Sequence, residues 1–276
     1  MVLMEPGTRG EEVLWRAVPG PPAQHLVDHP DGLLATLIRR RFAVTLTLVL
    51  VALAVITEQV VTMGPLVSLD YHVHNLRFDL RYPQYYDAML YLVMVGQRGP
   101  TAIPAVLIVG VLAWRRRNWR PLVLLGFALL ALNGVVGAAK LLIARALPAD
   151  NTAAVFVSHG IIFPSGHASN AIVTWGLVGY MLTRYGPIRR YEVGIVVTAM
   201  ASLIVGIGSI YLDTHWMTDI LAGWLAGIAI VMITIRLDQL FPIVRAKHRA
   251  PVTLRAMSLP RRTDIAAARP PLSPHS

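Results

Sequence analysis

His215 and Asp219, in the stretch "YLDTHWMTDILAG" at 211–223, stand four residues apart. On a helix that spacing puts both side chains on one face. The carboxylate can accept a hydrogen bond from one imidazole nitrogen, which fixes the tautomer and leaves the other nitrogen free as a nucleophile. His167 closes the stretch "FPSGH" at 163–167, just before a long apolar run. It supplies a second imidazole, suited to acid catalysis. Ser165 and Gly166 offer backbone N–H groups at a helix N-terminus, an arrangement that binds anions. Lys140, one of two lysines in the chain, ends another apolar run and adds a positive charge. An anion cradle, an oriented imidazole and a second imidazole make a phosphoryl-transfer site.

The elements that must position these groups are membrane helices. Of 276 residues, 55% are hydrophobic and 14% charged, against about 25% charged in soluble domains. Mean hydropathy is +0.57. These values, with the apolar runs, predict an all-α, polytopic membrane protein with about six transmembrane helices. The candidate spans are 42–63, 100–114, 121–142, 168–183, 192–212 and 217–235, the second extended backwards over 88–96 with a break at Gly99-Pro100. The first starts too far into the chain, and is too long, for a cleavable signal peptide. There is no cysteine, so disulfides, thiolate metal sites and a Cys nucleophile are excluded.

Basic residues orient the bundle. Twenty of the 25 Lys and Arg fall before the first span, in alternate loops or after the last span. Arg77, Arg81, Arg98, Lys140 and Arg145 fall on the other side. This asymmetry predicts cytoplasmic termini and an integral, multi-pass protein of the plasma (inner) membrane. It accounts for the net charge of +10 without a nucleic-acid partner; the partner is the bilayer itself. On this topology Lys140, His167 and His215–Asp219 meet at the outer membrane surface, where clustered ionisable groups point to function.

The organisation is a cytoplasmic tail over 1–36, a transmembrane domain over 37–240 and a basic, Pro-rich tail over 241–276. Between 64 and 99, Leu69, His72, Leu76 and Leu80 mark an amphipathic helix on the membrane surface. His72 and His74 have no third ligand nearby and suit a surface role rather than a metal. Asn133 and Asn170 lie inside predicted spans and suit hydrogen bonds between helices; Ser169 suits packing.

In order and spacing, "PSGH" at 164–167, the Lys140-to-Pro148 segment before it and His215-x3-Asp219 after it resemble the type 2 phosphatidic acid phosphatase superfamily, relatives of the vanadium haloperoxidases. The resemblance runs from about Gly96 to Gly227 and implies that the transmembrane helices form a helical bundle framing the site. It implies a membrane-embedded, metal-independent phosphoric monoester hydrolase of lipid phosphates or polyprenyl phosphates or diphosphates, with no cofactor. It implies that His215 attacks phosphorus to form a phosphohistidine and that Asp219 orients it. His167 protonates the leaving alkoxide and then helps activate water, while Lys140, Ser165 and Gly166 hold the phosphate oxygens.

Two positions depart from the family pattern. Its first motif is Lys-x6-Arg-Pro, and here Leu147 precedes Pro148. Its third is Ser-Arg-x5-His-x3-Asp, and here Gly208 and Ser209 lead. Neither residue replaces the charge and bidentate donors of an arginine. Either another cation substitutes, with Arg145 the nearest candidate and Arg98 a remoter one, or the substrate differs, or the protein is a degenerate phosphatase fold that binds a lipid phosphate or a membrane partner. A transporter fits poorly with six spans lacking a repeat and a polar lining.

Overall fold

The structure is a computed structural model that describes residues 30–158 and 160–240. The tail over 241–276 and most of that over 1–36 lie outside the described residues. Residues up to Asp238 belong to one compact unit. Of a second unit, only Gln239 and Leu240 are described.

The described residues form helices joined by turns: α1 Pro30–Val61, α2 Pro65–His74, α3 Phe78–Arg81, α4 Tyr86–Val93, α5 Arg98–Arg116, α6 Arg120–Ile143, α7 Gly166–Arg184, α8 Tyr191–Tyr211 and α9 Met217–Leu240, with 3₁₀ turns at Pro83–Tyr85, Met94–Gly96 and Pro148–Asp150. The protein is therefore an all-α, multi-pass membrane bundle. α1 starts at Pro30, inside the stretch read as the first tail. Four segments are long and apolar enough to cross a membrane: Arg39–Val61, Arg120–Asp150, Tyr191–Tyr211 and Met217–Leu240. Pro83–Gly96 and Arg98–Arg116, bent by 48° at their junction, make a fifth if taken together.

The difference from six lies in α7. It has 19 residues, nine of them buried, including Ser169, Asn170 and Thr174. A helix enclosed by its neighbours can carry polar groups, because helix partners rather than lipid surround them. α7 packs against α5, α6 and α8. It crosses α8 where Gly179 faces Gly194: a Cβ on Gly179 would lie 2.8 Å from the Gly194 Cα. Against α9 the contact is closer still. A Cβ on Gly223 would come within 2.6 Å of the Ser165 carbonyl, and one on Gly227 within 2.9 Å of the Ser169 carbonyl. Small residues let the backbones approach this way.

The break before α5 falls at Gly96–Gln97, not at Gly99-Pro100, since Pro100 fits into the first turn of the helix. α7 holds the break in place. Asn170 Nδ2 donates to the Gly96 carbonyl (3.0 Å) and to Thr101 Oγ1 (2.9 Å), and Trp175 Nε1 donates to the Val95 carbonyl (3.0 Å). Asn170 thus joins helices as expected. Asn133 does not: it is exposed and donates to Leu129 of its own helix.

The expected surface helix over 64–99 is also different. It is broken at Asn75–Arg77. Its buried face is Val67, Asp70 and His74, while Leu69, His72 and Leu80 are exposed. The same helical period is present, offset by two positions. Tyr71 and His74 pack on the Trp216 ring, and the Tyr71 hydroxyl accepts from the Ala153 N–H at 2.8 Å. α2 is therefore docked on the turn that carries His215.

At the opposite end of the bundle, Asp238 of α9 is fully buried. It accepts from the hydroxyls of Tyr180 (2.6 Å) and Tyr185 (2.5 Å) and pairs with Arg120 Nε at 2.8 Å. These contacts join α6, the C-terminal part of α7 and α9.

Candidate active site

Ser165 starts α7. Its extended backbone and its hydroxyl, which accepts from the Ala168 N–H at 3.3 Å, make it the N-cap, the position where Ser is strongly favoured. The Ser165 N–H donates to the Asp219 carbonyl at 2.9 Å. The phosphate-cradle turn and the start of α9 are thus bonded backbone to backbone. This sets Gly166 and His167 opposite His215, with the two imidazole centroids 6.3 Å apart.

A cavity of about 670 Å³ lies between them. Gly166, His167 and His215 line it, with Lys140 and Arg98 on its wall. A Cβ on Gly166 would lie 3.5 Å from Arg98 Nη2 and 3.8 Å from Lys140 Cε. Both cations therefore flank the N-terminus of α7, whose N–H groups and dipole already favour an anion. The Lys140 ammonium donates to the Ile161 carbonyl, which steadies its side chain over the cavity.

Asp219 orients His215. Its Oδ2 lies 3.3 Å from His215 Nδ1 and accepts from the Trp216 N–H at 3.0 Å. That leaves Nε2 as the ring nitrogen not engaged by Asp219, in a residue that lines the cavity. Trp216 is itself fixed, its Nε1 donating to the Ala146 carbonyl at 3.0 Å.

Arg145 does not line the cavity. The expectation that it turns inward to a phosphate is corrected: its side chain is fully buried behind His215, where Nη1 donates to Asp219 Oδ1 (2.5 Å) and Thr218 Oγ1 (2.7 Å), and Nη2 donates to Asp70 Oδ2 (2.7 Å). The carbonyl of Ala144, the residue before it, and its own carbonyl carbon press on Gly160 so closely that no Cβ fits there. The attraction of two carboxylates outweighs the open cavity for a guanidinium in this position.

The residues at the family's two arginine positions have different settings. Leu147 lines the cavity. Ser209 is buried, and its hydroxyl has no hydrogen-bond partner. A Cβ on Gly208 would lie 2.5 Å from Val93 Cγ2 of α4, so that close approach suits glycine. Asp213, just before His215, pairs with His74 Nδ1 at 2.7 Å. That carboxylate is thereby bonded to α2.

Residues 121–241 match the family model described as the PAP2 superfamily. The matched segment is 121 of the chain's 276 residues. It carries every helix of the site except α5 and α2. Over 87 residues the chain is 28% identical to phosphatidylglycerophosphatase B of Bacillus subtilis, covering 31% of this chain and 43% of that protein. Over 86 residues it is 33% identical to an undecaprenyl-diphosphatase of Sulfolobus acidocaldarius, covering 31% and 38%. The chain thus matches less than half the length of these curated relatives. Among solved structures, it resembles the transmembrane PAP2 type phosphatidylglycerolphosphate phosphatase from Bacillus subtilis, with a TM-score of 0.61 and 23% identity over 72% of this chain and 98% of that one. This likeness shows the fold alone: the matched segment sits in a membrane helical bundle like that of the solved structure.

Sequence reasoning found His167, His215, Asp219, Lys140 and the Ser165–Gly166 turn, which the fold brings together. It ranked Arg98 below Arg145. Distance along the chain favoured Arg145, but the bend at Gly96–Gln97 delivers Arg98. It missed Asp70 and Thr218 altogether.

Proposed function

We propose that this protein is a membrane phosphatase that removes phosphate from a lipid phosphate, or a polyprenyl phosphate or diphosphate, through a phosphohistidine on His215. The observation that carries the proposal is the pairing of His215 Nδ1 with Asp219 on the wall of a cavity that also holds His167, Lys140, Arg98 and the N-terminus of α7. In this mechanism the phosphate docks on the Gly166 end of α7 between Lys140 and Arg98. His215 Nε2 attacks phosphorus as the P–O bond to the alkoxide breaks. His167 gives the alkoxide its proton and then takes one from the water that cleaves the P–N bond. No metal or cofactor enters these steps.

The substrate class rests on the relatives, one a phosphatidylglycerophosphatase and one an undecaprenyl-diphosphatase, and on the apolar Leu147, Ile161 and Ile162 that share the cavity with the cations. Six crossings follow if α7 spans with α1, the bent α4–α5 pair, α6, α8 and α9. The distribution of basic residues then supports cytoplasmic termini in the plasma membrane and a site at the outer surface. A reporter after Ser276 is expected to be cytoplasmic.

The test is phosphate release by purified protein in chelator across a panel of lipid phosphates, with ³²P labelling of the enzyme. His215→Ala should lose both signals. A second reading, a phosphate-binding protein without turnover, is favoured by Leu147 and Ser209 at the arginine positions. Lipid-phosphate binding without hydrolysis, unchanged in His215→Ala, would select it.

A further inference from the structure

The chain places a second carboxylate behind the nucleophile, from a helix outside the PAP2 segment. Asp70 of α2, Arg145, Thr218 and Asp219 are all essentially inaccessible to solvent. They form one continuous cluster. Arg145 bridges the two carboxylates, with Nη1 on Asp219 and Nη2 on Asp70. Asp70 also accepts from the Thr218 N–H at 2.9 Å and from the Thr218 hydroxyl at 2.6 Å.

Every group facing Asp70 is a donor. Thr218 Oγ1 takes a hydrogen bond from Arg145 Nη1, so its own proton is directed to Asp70 Oδ2. Arg145 Nη2 and the Thr218 N–H can only donate, so two of the three groups on Asp70 favour its ionised form. Burial pushes the Asp70 carboxyl above its usual range, and the bonds from Thr218 and Arg145 offset only part of that. The donor set argues for the carboxylate.

The charge count then has a consequence for His215. Arg145 and Asp219 alone would cancel, and the imidazole would face a neutral pair. With Asp70 present, two carboxylates share one guanidinium, and the cluster keeps one negative charge. We propose that Asp70 and Arg145 are positioning residues for the nucleophile, acting as an opposed pair: Arg145 clamps the Asp219 carboxylate in place, and Asp70 offsets Arg145 so that Asp219 still presents net negative charge to His215. This inference rests on the proposed role of His215.

The other charged and titratable groups facing His215 are His167 of α7, Lys140 of α6 and Arg98 of α5, with the His74–Asp213 pair beside its turn. All of them stay constant in the test. His215 carbethoxylation is followed by peptide mass spectrometry against pH in the intact protein. The reagent attacks the neutral imidazole, so the pH midpoint reports its protonation without needing turnover. Asp70→Asn removes negative charge and is expected to move that midpoint down by roughly one pH unit; Arg145→Gln removes positive charge and is expected to move it up by a similar amount. Asp70→Glu, which keeps the charge, should stay near the native midpoint. The acid limb of hydrolysis should move with the same signs.

A merely structural role would change yield and stability, not produce shifts of opposite sign. If Arg145→Gln does not fold, the downward shift in Asp70→Asn and its return in Asp70→Glu decide the matter. Shifts of one sign in both variants, or no shift in Asp70→Asn, overturn the proposal. Opposite shifts in a protein that hydrolyses no lipid phosphate would uphold the charge arrangement and reject the phosphatase reading.

Discussion

Arg145 Nη1 lies 2.5 Å from Asp219 Oδ1, and neither side chain is exposed to solvent. A buried guanidinium with two carboxylates is costly to assemble but far costlier to break from one side. Arg145→Ala would leave the buried Asp70 and Asp219 without the cation they share. We expect a loss of about 3–5 kcal/mol, seen as a lower Tm in detergent, with phosphate affinity per folded molecule much less affected.

The cavity cations should behave the other way. Arg98 and Lys140 flank Gly166, and neither belongs to the buried cluster. Arg98→Ala and Lys140→Ala are each expected to weaken vanadate binding by about 10- to 100-fold, the scale of one charge-assisted hydrogen bond. Tm should change little for the exposed Arg98. Unaltered vanadate affinity in Arg98→Ala would remove it from the phosphate site.

In the proposed mechanism His167 serves the leaving group. His167→Ala should reduce turnover of an alkyl phosphate by about 10²–10⁴-fold. A nitrophenyl phosphate, whose leaving group needs no proton, should lose much less. Equal losses on both substrates would mean that His167 only positions phosphate.

The two missing arginines are not equivalent. Leu147→Arg adds a cation to the cavity wall and should tighten vanadate binding. Ser209→Arg would force a charge into a fully buried position and should unfold the protein or lower its Tm sharply. Ser209→Ala, which removes a buried hydroxyl without a partner, should be neutral or stabilising by about 1 kcal/mol. Restoring both arginines at once would confound these opposite effects.

How much of this was legible in the sequence depended on range. The Ser165 cap, the Gly166–His167 turn and the His215–Asp219 face are local patterns, set within one helical turn, and they were readable. The Arg145–Asp70 bridge joins positions 75 residues apart, and no spacing announces it. Asp70 was further hidden by periodicity. Leu69, His72, Leu76 and Leu80 gave a plausible apolar face, whereas the helix buries Val67, Asp70 and His74 because ion pairs and the Trp216 ring await them. The span count fell short of six by the apolar criterion for a related reason. α7 satisfies its polar side chains on neighbouring helices, so hydropathy understates how deeply it is enclosed. Arg98 depended on a bend whose position was read three residues late.

The knot around Asp238 has a mechanical meaning. α6, α7 and α9 each place one part in that knot and another in the site: Arg120 and Lys140, Tyr180 and His167, Asp238 and Asp219. Helices of 19 to 24 residues are lever arms of about 30–35 Å at 1.5 Å per residue. A tilt of about one degree at the anchored end displaces the other end by roughly half an ångström, comparable to the tolerance of a reacting geometry. The far end of the bundle thus acts as the fixed foot of a tripod, and the alignment of His215, His167 and the Gly166 turn is held from the opposite end of the helices.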